Sequence, residues 1–390
     1  MTGGHSHTHF DDGLDRPPLT AARARRLLTM IVGGVGVLTL IGVVAFWPSG
    51  HAVTASEALG FGDRVDATVR SAEFTGCSYD PTFDCSVVTA DVESGGAARL
   101  EFPLDSALPI AFLAPGDKIV LNDAGIDVPP EVRYSFADFQ RSTPLLLLLV
   151  LFAAAVIALG RLRGLFALIG LAASLGVLLG FVLPALLRGS SPVGVALTGA
   201  AVIALIALYL AHGFNERTTV AVLGTFAALG LTAFLGSVFA SSAHLTGLAT
   251  EESINLLAFA PELDFRGLLL AAVIIGALGV LDDVTVTQVS AVWELRNADP
   301  NLKARDLYRA GIRIGRDHIA STVNTLVLAY SAAALPLLLL LTQSGLGFSQ
   351  VITSETIAVE VVQTLVGSIG LVASVPITTA LAAWVVTRSD

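Results

Sequence analysis

The residues best suited to chemistry are two adjacent aspartates, Asp282 and Asp283, which interrupt an apolar run in the string GVLDDVTVTQVSAVWEL. An ionised carboxylate inside a bilayer costs several kcal/mol unless it is paired, hydrated or protonated. Residues of this kind mark ion, proton or substrate pathways, so we expect the pair to bind a cation or exchange a proton. The alternative is a structural hydrogen-bond knot that holds membrane helices together.

Further polar residues follow the aspartates on the same predicted helix. Asp283, Thr287 and Glu294 repeat at helical spacing and form one stripe that leads to the end of the span. The β-branched VTVT segment after GALG also predicts a loosened helix that exposes backbone carbonyls as ion ligands. We expect the aspartates to carry the charge, and the neighbouring positions to supply side-chain ligands from Thr285, Thr287 and Gln288.

The next apolar span has a polar face of its own, in GRDHIASTVNTLVLAY. Asp317, Ser321 and Asn324 share one helical stripe, and we expect Ser321 and Asn324 to complete the site because the two stripes face each other. Asp317 and His318 lie at the edge of this span. There they either line the inner exit together with Glu294, or act as ordinary partners of a helix N-terminus.

Two weaker features complete the candidates. Glu360 lies towards the outer side of the last span, as a gate or as a boundary residue. The tract HSHTH contains His5, His7 and His9, which either chelate a divalent metal ion or are merely solvated. A nucleotide-binding loop, HExxH and GxSxG are all absent from the sequence, and no nucleophile has an obvious base, so we expect no enzyme.

The composition provides the membrane helices that must position these residues. Of the 390 residues 54% are hydrophobic and 14% are charged, and the mean hydropathy is +0.76. Soluble chains carry about a quarter charged residues, so a soluble enzyme, a nucleic-acid binder and a disordered scaffold are excluded. We predict eight spans, near residues 27–47, 144–160, 165–187, 193–211, 220–246, 267–293, 319–342 and 357–386.

The distribution of Lys and Arg predicts how the spans are oriented. Arg161, Arg163 and Arg217 and the basic segment 294–318 fall in alternate connections, whereas the other short loops carry only Arg188 and Arg266. The basic connections are expected in the cytoplasm. The tail 1–26 and the C-terminus are then cytoplasmic, and part of the basic segment forms a helix on anionic headgroups.

The polar insert at residues 50–143 is predicted to be an external β domain. Segments GDRVDATVR, CSVVTADVE, AARLEFPL and GDKIVLN alternate apolar and polar residues, as half-buried strands do, and would form an OB-like or SH3-like barrel that acts as a lid or docking module. Cys77 and Cys85 lie in this insert. They form a disulfide in an oxidising compartment, unless they are free thiols.

The strings LDDVTVTQ, SAVWEL, GRDHIASTVNTLVLAY, YSFADFQR and ALYLAHGFNERTT resemble the YibE/F-like family of bacterial membrane proteins. The resemblance implies a multispan, permease-like protein of the bacterial plasma membrane and names no substrate. It covers most of residues 50–386, so it does not bear on the histidine tract.

Together these features predict an all-α polytopic membrane protein, with one span before the external β-barrel-like domain and seven within residues 144–390. We expect an ion-coupled or ion-translocating secondary transporter that uses a bound cation or a proton. The alternative is a non-transporting scaffold or accessory subunit whose β domain binds an envelope partner. The expected partners are the lipid bilayer, a small ion or solute, and an envelope protein or a second copy of the chain, with no nucleic acid.

Overall fold

The structure is a computed structural model that describes residues 19–49, 63–78, 80, 82–93, 95–103, 113–125, 129, 133–343, 345 and 347–389. The predicted metal ligands His5, His7 and His9 lie outside these residues. The chain divides into a β unit, His51–Leu159, and a helical unit composed of Met1–Gly50 and Gly160–Asp390. Each unit is described by itself.

The described residues of the β unit form one antiparallel sheet of five strands in the order β3-β2-β1-β4-β5. Its strands are β1 Asp63–Gly76, β2 Asp84–Val92, β3 Ala97–Pro103, β4 Lys118–Asp123 and β5 Tyr134–Phe139. Alternate side chains, among them Val69, Val88, Leu100 and Ile119, form its apolar core. The four predicted strands are confirmed, and β5 is an addition.

The sheet curves into a half-barrel, as the predicted barrel-like fold requires. Its two edge strands approach each other at Phe102 of β3 and Phe136 of β5, whose ring centroids are 6.2 Å apart in an edge-to-face arrangement. Cys77 and Cys85 form a disulfide, with Cα atoms 4.9 Å apart. The bridge closes the hairpin between β1 and β2, and both cysteines are buried.

The described helices follow the predicted spans with some differences. They are α1 Leu19–Ala45, α2 Ser142–Val177, α3 Leu183–Leu187, α4 Pro192–His212, α5 Glu216–Ser242, α6 Glu251–Phe259, α7 Phe265–Ala298, α8 Ala304–Ala333, α9 Leu335–Gln343, α10 Phe348–Ile352 and α11 Glu355–Ser389. A π-helical turn, Leu178–Val182, joins α2 to α3.

Among the described residues, six helical stretches are long and apolar enough to cross a membrane, and α8 with α9 makes a seventh if that pair, bent by 62°, is one span. One of the six, Ser142–Leu187, has 46 residues. At about 1.5 Å per residue it is roughly 69 Å long, over twice the hydrocarbon thickness. Its backbone is non-helical at Arg161, between the predicted spans 144–160 and 165–187. The described residues thus give six or seven candidate spans, where the sequence predicted eight.

The core of the helical unit lies where α4, α5, α7 and α11 pack against one another. Small residues allow close approach: a Cβ added to Gly224 of α5 would collide with Thr378 of α11, and one added to Gly370 of α11 would collide with Thr232 of α5. Apolar side chains such as Ile203, Leu229 and Ile274 fill the space between α4, α5 and α7. Close contact through small residues is the usual means of packing membrane helices.

The basic segment does not form a separate surface helix, which corrects the sequence-based expectation. Residues from Ala304 onward belong to α8, which continues without a break to Ala333. Leu307 is fully buried in a cluster with Val292 and Trp293 of α7 and Val386 of α11. Burial of this leucine therefore holds the N-terminal turns of α8 against the bundle instead of leaving them on headgroups.

Candidate functional site

Helix α7, which carries the aspartate pair, is continuous through the site. The Asp264 side chain caps its N-terminus by accepting a hydrogen bond of 2.9 Å from the Gly267 N–H. Helical structure persists to Ala298, so the predicted loosening at VTVT is wrong. Backbone carbonyls inside a continuous helix are already bonded to N–H groups. Side chains are therefore the expected ion ligands at this level.

Asp282 lies on the side of α7 that packs against α5. Its Oδ1 atom is buried and has no hydrogen-bond partner in the described part of the chain. The Thr225 side chain of α5 lies close enough to interact with this carboxyl group. None of the ion pairs among the described residues involves Asp282. The carboxyl group is thus held in the interior with only part of its bonding capacity used.

Two threonine hydroxyls form the polar surroundings of Asp282. Thr225 Oγ1 of α5 and Thr285 Oγ1 of α7 are 2.8 Å apart, and neither residue is exposed. Thr285 also donates to the backbone carbonyl of Asp282 over 3.2 Å. The Thr225 hydroxyl thus lies near the carboxyl group, and the Thr285 hydroxyl adjoins it between the two helices. Oxygen ligands of this type suit a proton or a hard cation.

Asp283, in contrast, lies on the exposed face of α7. Thr287, Ser290 and Glu294 share this face, and Thr287 donates a hydrogen bond of 2.9 Å to the Asp283 backbone carbonyl. Glu294 forms a long ion pair, 3.6 Å, with Arg217. The polar stripe predicted from the sequence therefore exists, but it leaves Asp282 on another face.

Gln288 uses its amide to tie three helices together. Its Nε2 atom donates to the Gly311 carbonyl of α8 over 2.8 Å and to Thr379 Oγ1 of α11 over 2.7 Å. Thr379 in turn donates to the Val375 carbonyl. Both amide hydrogens are therefore committed to protein acceptors. This geometry is that of a structural knot, and the predicted role of Gln288 as an ion ligand stays a prediction.

The predicted meeting of the polar stripes of α7 and α8 is not observed. Asp317, Ser321 and Asn324 are exposed, whereas α8 packs on its neighbours through Gly311 and Gly315. No hydrogen bond or ion pair among the described residues joins Ser321 or Asn324 to Asp283. Their roles, and that of Asp317 at the inner exit, stay predictions.

His318 and Glu360 both lie partly inside the bundle. His318 is half-buried, and its Nε2 atom is buried without a hydrogen-bond partner in the described chain. Glu360 of α11 lines a mostly apolar cavity of about 260 Å³ together with Tyr330 of α8 and Thr364 of α11. Gln363 donates to the Tyr330 hydroxyl over 3.4 Å. The roles of both residues as inner exit and outer gate remain predictions.

The structure adds Thr225 to the site, a residue that the sequence did not single out. A threonine in an apolar helix is ordinary, and its hydroxyl commonly bonds to the preceding turn. One signal was available: Thr218, Thr225 and Thr232 recur every seven residues along α5, and all three are buried. That spacing places them on one side of the helix, facing the bundle.

Comparison with known proteins gives one result. A family model described as YibE/F-like protein matches residues 148–388. The matched segment contains the aspartate pair, Thr225 and the helices that surround them. No curated protein and no solved structure matches the chain.

Proposed function

The chain belongs to the YibE/F-like family of multispan membrane proteins, and from this premise we propose that it is an ion-coupled or ion-translocating secondary transporter. In this proposal Asp282 holds the coupling proton or cation. Thr225 and Thr285 orient the carboxyl group and supply oxygen atoms to the bound ion. The coupling takes place between α5 and α7.

The observation that carries the proposal is the buried, unpartnered Oδ1 atom of Asp282. An ionised carboxylate in such a place is costly, because the polar groups that would replace its hydration are missing on one side. A proton or a cation at that oxygen removes the cost. The Asp282 carboxylate is therefore stabilised when it binds a small positive ion, and it can release that ion once water hydrates the carboxylate. Ion coupling requires both properties.

A purely structural role for Asp282 is less well supported, as comparison with Gln288 illustrates. Gln288 bonds through its amide to acceptors on two other helices, as a residue does when its purpose is to hold helices together. The Asp282 carboxyl group, in contrast, has Thr225 beside it and leaves one buried oxygen without a hydrogen-bond partner in the described chain. A buried polar atom without a hydrogen bond lowers the stability of the folded protein. If Asp282 served stability alone, a neutral side chain would be expected at this position.

The exposed stripe of α7 offers a way from the site towards one end of the membrane. Asp283, Thr287 and Ser290 follow one another along this face and end at Glu294. The distribution of Lys and Arg predicts that this end is cytoplasmic. In the proposal these side chains attract and hydrate the ion as it leaves Asp282, while Asp317 and His318 line the same exit.

The proposal is tested by ion-jump currents from the purified full-length protein in liposomes adsorbed on a solid-supported membrane. The probes are protons, Na⁺ and K⁺, each supplied as a concentration jump at constant ionic strength. We expect one of the three ions to give a transient current that protein-free liposomes lack. No protein-dependent current with any of them would reject ion coupling and favour the non-transporting scaffold whose β domain binds an envelope partner.

A further inference from the structure

A second cavity lies at the end of the helical unit where α4 ends and α5 begins. Its volume is about 530 Å³, and Arg163, His212 and Arg217 line it together with Asn215 and Ser290. No carboxylate lines it within the described part of the chain. Two arginines and an imidazole converge there on one space, so the chemistry of the walls selects a negatively charged group.

The positive charges of Arg163 and Arg217 are only weakly neutralised by ion pairs within the described chain. Arg217 is paired with Glu294 at 3.6 Å, but both side chains are largely exposed, and such a pair contributes little. Arg163 is exposed and forms no ion pair with the described residues. A bound phosphate would therefore gain two cationic partners without breaking a strong internal interaction.

An apolar groove adjoins the polar cavity and shares Asn215 with it. The groove has a volume of about 510 Å³ and runs between α1, which contributes Leu28 and Val32, and the α4–α5 corner, which contributes Tyr209 and Phe214. Glu216 lines the groove and not the cavity. The combination of a cationic pocket and an apolar groove fits a molecule with an anionic head and a hydrocarbon tail.

The boundary between the two spaces is well fixed. The Asn215 side chain caps α5 by accepting a hydrogen bond of 2.9 Å from the Thr218 N–H, and it donates one of 2.8 Å to the His212 carbonyl. Phe214, which is exposed, stacks on Tyr209 along the groove, with ring centroids 4.7 Å apart. A ligand would meet a preformed corner, which lowers the entropic cost of binding.

We propose that this corner binds an anionic phospholipid of the leaflet that the Lys and Arg distribution predicts to be cytoplasmic. Arg163, Arg217 and His212 hold the phosphate, and an acyl chain lies in the groove against α1. Anionic lipids are enriched in that leaflet, which agrees with the charge of the pocket. The pocket does not include Asp282, although it shares Ser290 with the proposed ion exit. Lipid binding is measured without transport, so this inference does not depend on the proposed transport function.

Native mass spectrometry of the full-length protein tests the proposal directly. The purified protein is titrated with dioleoyl phosphatidylglycerol, and with dioleoyl phosphatidylcholine as the zwitterionic lipid with identical chains. We expect the anionic lipid to bind more tightly, and binding to weaken by about fivefold for each arginine replaced in Arg163→Gln and Arg217→Gln. Arg309→Gln and Arg313→Gln, on the exposed face of α8, are the matched controls and should leave binding unchanged.

A third variant separates a lipid from a free anion. Gly33 lines the groove, and a side chain added there meets open space, so Gly33→Leu should fill the groove without disturbing the fold. It should weaken phosphatidylglycerol binding but not the binding of inorganic phosphate. The proposal would be overturned if the two lipids bound equally, or if neither arginine replacement weakened phosphatidylglycerol binding. It would also be overturned if Gly33→Leu lost phosphate binding but kept lipid binding.

Discussion

Asp282 and Asp283 are neighbours in sequence but lie in different environments, because Asp282 turns a carboxyl oxygen into the interior of the helical unit and Asp283 lies on the exposed face of α7. Successive residues of an α-helix point about 100° apart, so a pair of adjacent charges inevitably divides between two faces. The two aspartates therefore have separable roles, and each serves as a control for the other.

Gln288 should contribute to stability more than to ion coupling. Replacing it with Ala removes two buried hydrogen bonds and leaves a gap between α7, α8 and α11. We expect unfolding to become easier by about 2 kcal/mol, measured as a lower melting temperature in detergent. Asn301→Ala, at an exposed position, is the control. An unchanged melting temperature together with a lost ion current would instead place Gln288 in the ion site.

Close packing between α5 and α11 should depend on Gly224. A methyl group there would collide with Thr378, whereas one at Gly230 on the same helix meets open space. We expect Gly224→Ala to lower stability by about 1–3 kcal/mol, and Gly230→Ala to leave it unchanged or slightly higher. Thermal unfolding of the two purified variants would reveal the difference, and equal melting temperatures would contradict the close contact between Gly224 and Thr378.

The β unit should lose stability in acid through Asp123. Arg133 hydrogen-bonds the Asp123 carboxylate through two nitrogens, at 2.8 and 2.7 Å, and this bond, followed by one from the Gly125 N–H, lowers the pKa of Asp123 from 3.8 to about 2. Because the folded-state pKa is lowered, the stabilisation is complete above about pH 4 and is lost as the pH falls towards 2.

Hydrogen exchange measured by mass spectrometry can follow this loss in the full-length protein. Near neutral pH, Arg133→Gln should reduce the protection of the β4 and β5 amides from exchange. The difference in protection between this variant and wild type should shrink as the pH falls below about 4. Arg70→Gln, which breaks the exposed pair with Asp91, is expected to have a smaller effect. A difference between Arg133→Gln and wild type that persisted at pH 2 would argue against the pair as its cause.

The predicted orientation can be tested with two lysines. Lys118 belongs to β4 and Lys303 precedes α8, and both are exposed. If the β unit is external, a membrane-impermeant amine reagent should label Lys118 and spare Lys303 in intact spheroplasts, and should label both after lysis. Labelling of Lys303 alone would invert the orientation. It would also place the Cys77–Cys85 disulfide in the cytoplasm, where such bonds rarely persist.

Sequence patterns were informative where one face of an element is buried and the other is solvated. Four strands of the β unit were predicted for this reason, because their side chains alternate. Strand β5 was missed since its pairing with β4 shifts between Val120 and Leu121, which leaves Ala137 opposite no partner and interrupts the alternation. The disulfide was predictable because its two cysteines lie in a polar insert.

The same patterns were less informative inside the membrane, where buried and lipid-facing surfaces are both apolar. The polar stripe through Asp283 was identified correctly, but the sequence does not state which face of α7 contacts α5. That face is determined by partners such as Thr225, which is distant in sequence. Asn324 was assigned to the site by its spacing in the same way, although α8 packs through its glycines on another side.

The central claim, that Asp282 holds the coupling ion, is tested most directly by comparing Asp282→Asn with Asp283→Asn in the ion-jump assay. Asparagine keeps the shape of the side chain and its place beside Thr225 but cannot gain or lose the charge. We predict that Asp282→Asn abolishes the transient current while its melting temperature stays near that of wild type, and that Asp283→Asn retains the current. A full current from a stably folded Asp282→Asn protein would contradict the claim.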